Sequence, residues 1–144
     1  MMYQIVSERR SPAYRVSSPA DAYKAFSRYA KARTERFLVA TLNGAHEIIR
    51  VHIVSIGLVN RTVVHPREVF FPAIKDFAVG IIVCHNHPSS RLEPSPEDIE
   101  ITRRLRESGD ILGISLLDHL IIGPQLGSYL SFTERGLLPP PSSD

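Results

Sequence analysis

Apolar positions change their period several times along the chain, and each change marks an element. Ala22, Tyr23, Phe26, Tyr29 and Ala30 recur at helical spacing. Ser17 or Ser18 followed by Pro19 supplies a start signal, so a helix is predicted over residues 19–31. Residues 37–42, FLVATL, are apolar on both faces and read as a buried strand. Asn43-Gly44 predicts a tight hairpin turn, because primed turns need positive φ, and the partner strand falls at residues 47–55. Pro66 opens a second helix, with Phe70, Ala73, Ile74 and Phe77 expected to face inward and Gly80 ending the connection. Ile81, Ile82, Val83 and Cys84 form a short buried strand that leads straight into His85. Ser95-Pro96 starts a third helix, expected to run to about Ser108 before Gly109. Residues 114–122 make another strand, broken by Gly123-Pro124, and a short strand near Tyr129 and a helical turn near Thr133 follow. Residues 1–17 read as irregular or extended, and the final LPPPSSD as a disordered tail. Helix, hairpin, helix, strand, helix, strand is the order of an α/β layered domain with helices packed on a mixed sheet.

A chain of 144 residues is the size of one domain. At 43% hydrophobic and 22% charged it has ordinary globular composition, not that of a disordered chain. The expected division is an arm over residues 1–18, a domain over 19–138 and a tail over 139–144. Cys84 is the single cysteine, which rules out an intrachain disulfide or a multi-cysteine zinc site and points to a reducing, cytoplasmic setting. The N-terminus lacks the apolar core of a secretory signal, and no apolar run approaches the ~18 residues of a membrane span. The net charge is +2, unevenly spread. Residues 1–36 hold eight basic and three acidic residues; the rest hold nine and twelve. That basic segment is either a solvated face or a contact for DNA, DNA-repair partners or another acidic molecule.

The chemistry concentrates in residues 85–98, HNHPSSRLEPSPED. His85 and His87 stand at i and i+2 on a strand end, so both imidazoles project to one side. Pro88 turns the chain and holds His87 extended. Asp98, three residues after Ser95, shares a helical stripe with Ile101, Thr102 and Leu105. An inward carboxylate needs a partner. The helix N-terminus supplies part of it, and a divalent cation would supply the rest. Ser95-x-x-Asp98 also reads as a capping box. Two histidines and one carboxylate leave a fourth zinc position open, as in catalytic sites.

His85-x-His87, ten intervening residues and then Asp98, with Ser95 three before it, resembles the JAMM motif of the MPN/JAMM metalloprotease superfamily. The flanking text is similar to one branch, the RadC family. The segments Val64-His65-Pro66-Arg67-Glu68-Val69-Phe70, His85-Asn86-His87-Pro88-Ser89, Ser95-Pro96-Glu97-Asp98 and Leu116-Leu117-Asp118-His119 carry the likeness. It spans roughly residues 19–138. The resemblance implies a three-layer α/β/α, cytidine-deaminase-like fold with His85, His87 and Asp98 as zinc ligands. It implies Glu35 as general acid/base, which residue chemistry alone does not choose over Glu47 or Glu68, and Ser95 as a stabiliser of the tetrahedral intermediate. The implied activity is metallopeptidase or isopeptidase chemistry on a peptide or protein substrate. A DNA-repair-associated or scaffolding module without peptidase activity is the alternative. The N-terminal helix-hairpin-helix-like domain of longer RadC proteins is not expected here. Where that family reads Gly and then an acidic residue after HNHPS, this chain has Ser90-Arg91, losing the easy left-handed backbone of glycine.

The contiguous letters His85-Asn86-His87 do not make an HNH nuclease, whose named residues are spread over a ββα unit. The cysteine pair of zinc deaminases is missing. Cys84 is expected to alternate away from the two histidines. His119 offers either a contact to a ligand histidine or a plain strand-end hydrogen bond. His46, His52 and His65 read as surface or turn residues.

Overall fold

The computed structural model describes residues 4–7, 14–56 and 64–140. Its centre is a six-stranded mixed sheet in the order β1-β3-β2-β4-β5-β6. The strands are β1 (Gln4–Ser7), β2 (Arg36–Leu42), β3 (Ile48–Ile56), β4 (Gly80–Asn86), β5 (Ser115–Ile122) and β6 (Tyr129–Ser131). Among the described residues only β4 and β5 run parallel; every other neighbouring pair is antiparallel. Helix α1 (Pro19–Phe26) covers one face, and α2 (Pro66–Lys75) and α3 (Pro96–Leu112) cover the other. Among the described residues, no helix is long and apolar enough to cross a membrane.

Continuous apolar runs in the central strands explain the layering. In β2, Leu38, Ala40 and Leu42 face α1, while Phe37 and Val39 face α2 and α3. In β4, Ile82 and Cys84 take the first side, and Ile81 and Val83 the second. Phe26 and Phe70 are the largest helix contributions to the two cores, each worth roughly 1.5–3 kcal/mol when fully buried. The α3 crossover joins the two parallel strands and brings its own N-terminus back to their carboxyl ends. That edge is where open α/β sheets place their sites.

Five local expectations are corrected. Helix α1 stops at Phe26 and closes with a 3-10 turn over Ser27–Tyr29, so the stripe through Ala30 is only partly α-helical. The hairpin between β2 and β3 is not a two-residue primed turn. Asn43 Oδ1 accepts from Ala45 N–H and Glu47 N–H, and positive φ falls on His46 rather than Gly44. That is a three-residue loop with a left-handed last residue. In α2, Ile74 and Phe77 face solvent. The helix ends at Lys75, Phe77 takes the left-handed position at φ 55°, and the inward direction passes to Asp76. The Asp76 carboxylate accepts from Thr41 Oγ1 at 2.7 Å and Arg50 Nη1 at 3.2 Å, and lies 2.8 Å from His52 Nε2. His52 is therefore buried on the sheet, not a surface residue.

The fifth correction concerns α3, which continues through Gly109 to Leu112 and ends at Gly113, φ 74°. Gly113 and Ile114 N–H both donate to the Gly109 carbonyl. Gly109 serves close approach instead: a Cβ there would lie 2.3 Å from the Ile114 carbonyl oxygen and 3.3 Å from the Phe70 ring. Gly109→Ala is predicted to destabilise the fold by about 1–3 kcal/mol, despite a helix-propensity gain of about 1 kcal/mol. A urea midpoint equal to or above wild type would refute the close-approach account.

Candidate metal centre

His85 occupies the end of β4, and the ladder to β5 continues one step further, with His87 N–H donating to the Ile122 carbonyl at 2.9 Å. Alternation puts both imidazoles on the α2/α3 face, with Nε2 atoms 2.9 Å apart. Asp98 meets them from the first turn of α3. Its Oδ1 is 3.2 Å from His85 Nε2, and its Oδ2 is 3.6 Å from His87 Nε2. One donor atom from each of the three lies within 4.8 Å of the others. The capping box is present as well. Ser95 Oγ accepts from Asp98 N–H at 3.0 Å, and Asp98 Oδ2 accepts from Ser95 N–H at 2.8 Å. The two readings of Asp98 are thus compatible: the cap orients the carboxylate that faces the histidines.

The chemistry of this donor set fits a divalent cation. His87 Nδ1 lies 2.8 Å from the Arg91 carbonyl, which only accepts, so Nδ1 carries the proton and the Nε2 lone pair faces the centre. A carboxylate and an imidazole lone pair pointing together favour positive charge between them. Bonds of about 2.0–2.1 Å in a tetrahedral ion put ligand atoms about 3.4 Å apart, within the spread of these separations. Charge preferences agree. Burial works to raise the Asp98 carboxyl, but hydrogen bonds from His85 and His87, the charge of His85 and the Ser95 N–H win and hold it well below the usual carboxylate range. For His87, burial pulls downward, yet hydrogen bonds to Asp98 and the Arg91 carbonyl, with the charges of Asp98 and Glu35, leave it above its ordinary value. Cys84 points to the α1 side, and burial, then the Asp118 charge, pushes its thiol up, away from thiolate chemistry.

Glu35 is half-buried at the same end of the sheet. Phe37 pairs with His85 across β2 and β4, so continuing the register sets Glu35 opposite His87. Its segment is pinned by Asn86, a residue sequence reasoning passed over. The Asn86 amide donates to the Ala32 and Thr34 carbonyls at 3.1 Å each and accepts from Arg36 N–H at 2.8 Å. Its position on the opposite face of a fully buried strand was the available signal, since a buried amide needs partners. His119 contacts one of the candidate ligands, His85: its Nε2 lies 2.9 Å from His85 Nδ1, and its Nδ1 lies 2.6 Å from Thr102 Oγ1. Phe132 stacks on its ring at 4.5 Å, and burial followed by the His85 charge pushes its pKa well down. In the loop that departs from the RadC pattern, Ser89, Ser90 and Arg91 all avoid positive φ, and the Arg91 carbonyl supports His87.

A three-layer α/β domain with two histidines and one carboxylate at the carboxyl ends of its parallel strands has the architecture of a JAB/MPN domain. The chain belongs to the RadC-like JAB domain family, whose model matches residues 16–137. It is 50% identical to a UPF0758 protein of Pelobacter propionicus over 125 residues, 86% of this chain and 54% of the relative. A UPF0758 protein of Methanospirillum hungatei is 62% identical over 87 residues, covering 60% of this chain and 39% of the relative. The chain spans about half the length of the curated relatives it matches over most of its own length.

The pKa directions predict a pH window for the metal-free protein. The lowered carboxyl of Asp98 contributes stability above its unfolded value near about 4, and loses it on acidification toward the folded value. The raised His87 contributes below its unfolded value near about 6.5, and loses it as pH rises through the folded value. With chelator present, the urea-midpoint difference between wild type and Asp98→Asn is expected to peak near about pH 5–6 and shrink on both sides. A difference independent of pH would contradict the pairing.

Proposed function

We propose that this chain is a zinc-dependent hydrolase of the JAMM type, cleaving a peptide or isopeptide bond, with His85, His87 and Asp98 holding the metal. The observation that carries the reading is the convergence of His85 Nε2, His87 Nε2 and the Asp98 carboxylate at the open edge of the sheet. Three protein ligands leave a position for water or substrate. When bound, zinc supplies a Lewis acid and a water of lowered pKa.

The chain's own residues supply the rest. Glu35, set opposite His87, takes the proton from the attacking water and returns it to the leaving amine. Asn86 fixes the backbone on both sides of that glutamate through its three hydrogen bonds. Ser95 uses a lone pair, not its proton, in the cap, so its hydroxyl remains available to donate to the developing oxyanion. Pro88 and the capped α3 terminus hold the loop between the ligands. A DNA-associated role draws on the basic surplus of residues 1–36, whereas the hydrolytic reading draws on side-chain geometry.

Metal analysis tests the centre. Purified wild type is expected to hold about one zinc per chain, and Asp98→Ala close to none. Equal, near-zero metal in both would sink the reading. Glu35→Gln is expected to keep its metal while hydrolysis of a peptide or isopeptide probe falls by about two orders of magnitude or more. Full activity in that variant would remove Glu35 from the mechanism.

A further inference from the structure

Beyond the three converging groups lies a buried chain that reaches no solvent and no ligand position of its own. It runs from His85 through His119 to Thr102 and back to the main chain of Asp98. Thr102 Oγ1 is 2.6 Å from the Asp98 carbonyl oxygen, to which it donates. A hydroxyl has one proton, and here it is committed to a group that can only accept. Toward His119 Nδ1, also 2.6 Å away, Thr102 must therefore act as acceptor, and Nδ1 must carry a hydrogen. The other nitrogen, Nε2, then presents a lone pair to His85 Nδ1 at 2.9 Å. His85 donates through Nδ1, and its own Nε2 lone pair is left facing Asp98 and His87.

We propose that Thr102 and His119 are positioning residues that fix the tautomer of His85, holding its Nε2 lone pair toward the metal. The proposal rests on the reading of His85, His87 and Asp98 as ligands. The packing around the chain suits the task. His119 is fully buried, stacked on Phe132 and edge-on to Phe37, so its ring cannot turn to exchange its two nitrogens without displacing core side chains. Thr102 is buried on the helix that carries Asp98, four residues on. One helix therefore supplies a ligand directly and sets the proton of a second ligand indirectly. His87 obtains the same result by a shorter route, through the Arg91 carbonyl. Both histidines are thus set to Nδ1–H by acceptors, as metal-ligating imidazoles usually are.

The test uses zinc-loaded, nitrogen-labelled protein and needs no variant for its first part. Ring nitrogen resonances are expected to place the hydrogen of His119 on Nδ1. Zinc dissociation constants from chelator competition form the second part. Thr102→Val, similar in shape but without the hydroxyl, is expected to bind zinc about 10–100-fold more weakly, while Thr102→Ser stays near wild type. Thermal unfolding of the metal-free variants separates this effect from loss of fold. A hydrogen on Nε2 of His119 in wild type overturns the proposal, and so does wild-type affinity in Thr102→Val. Equal weakening in Thr102→Ser would assign the effect to packing and overturn it too. A wild type that holds no zinc overturns the ligand reading itself, an outcome distinct from the other three.

Discussion

The end of the sheet is organised by the cost of placing one carboxylate, that of Asp98, out of water. An unpaired buried anion is among the most expensive groups a fold can carry. Asp98 meets that cost twice over: Oδ2 takes the Ser95 N–H at the helix start, and both oxygens face imidazoles. The capping box fixes the Asp98 carboxylate in the first turn of α3, within reach of the strand ends. His85 and His87 then stand where the carboxylate needs positive charge. The helix terminus answers that electrostatic demand only in part, and a cation among the three groups would answer the rest.

Much of this was legible in the chain. The i, i+2 spacing of His85 and His87 and the Ser95-x-x-Asp98 pattern are local, so strand alternation and helix phase were enough to place them. The mixed sheet and its helices followed from apolar period. Features that depend on a partner far along the chain were not legible. Asn86 looks like a spacer between two histidines until β4 is fully buried and Ala32, Thr34 and Arg36 arrive beside it. Gly109 looks like a helix stop, but its missing side chain admits the Ile114 carbonyl of the next connection. His52 has no sequence neighbour to mark it as buried, because its partner Asp76 belongs to a different element. Glu35 came from resemblance rather than physics, and its register opposite His87 appears only once β2 and β4 are paired.

The loop that departs from the RadC pattern shows how little the centre asks of it. Replacing glycine by Ser90 would be costly if the backbone there had to be left-handed. Ser89, Ser90 and Arg91 all avoid positive φ, so no left-handed strain arises. What the site needs from this stretch is one main-chain acceptor, the Arg91 carbonyl, and any side chain leaves that group in place. At Arg91 a backbone atom makes the contact whatever side chain stands there, whereas at Thr102 the side chain itself makes it.

The polar cluster at the far end of the sheet bears on what a metal would do for the fold. Asp76 ties the end of α2 to Thr41, Arg50 and His52, and it lies near the amino end of β4, opposite the metal edge. Both faces of the sheet between the two clusters are filled by apolar side chains. The metal-free domain thus has two continuous cores and a second anchor, none of which uses His85, His87 or Asp98. Zinc would add stability only by mass action, in proportion to the logarithm of its concentration over its dissociation constant. That distinguishes this architecture from small zinc modules whose folding energy is mostly metal binding. Here the rigid sheet comes first and holds His85, His87 and Asp98 in place, so the fold would not depend on a cation bound among them.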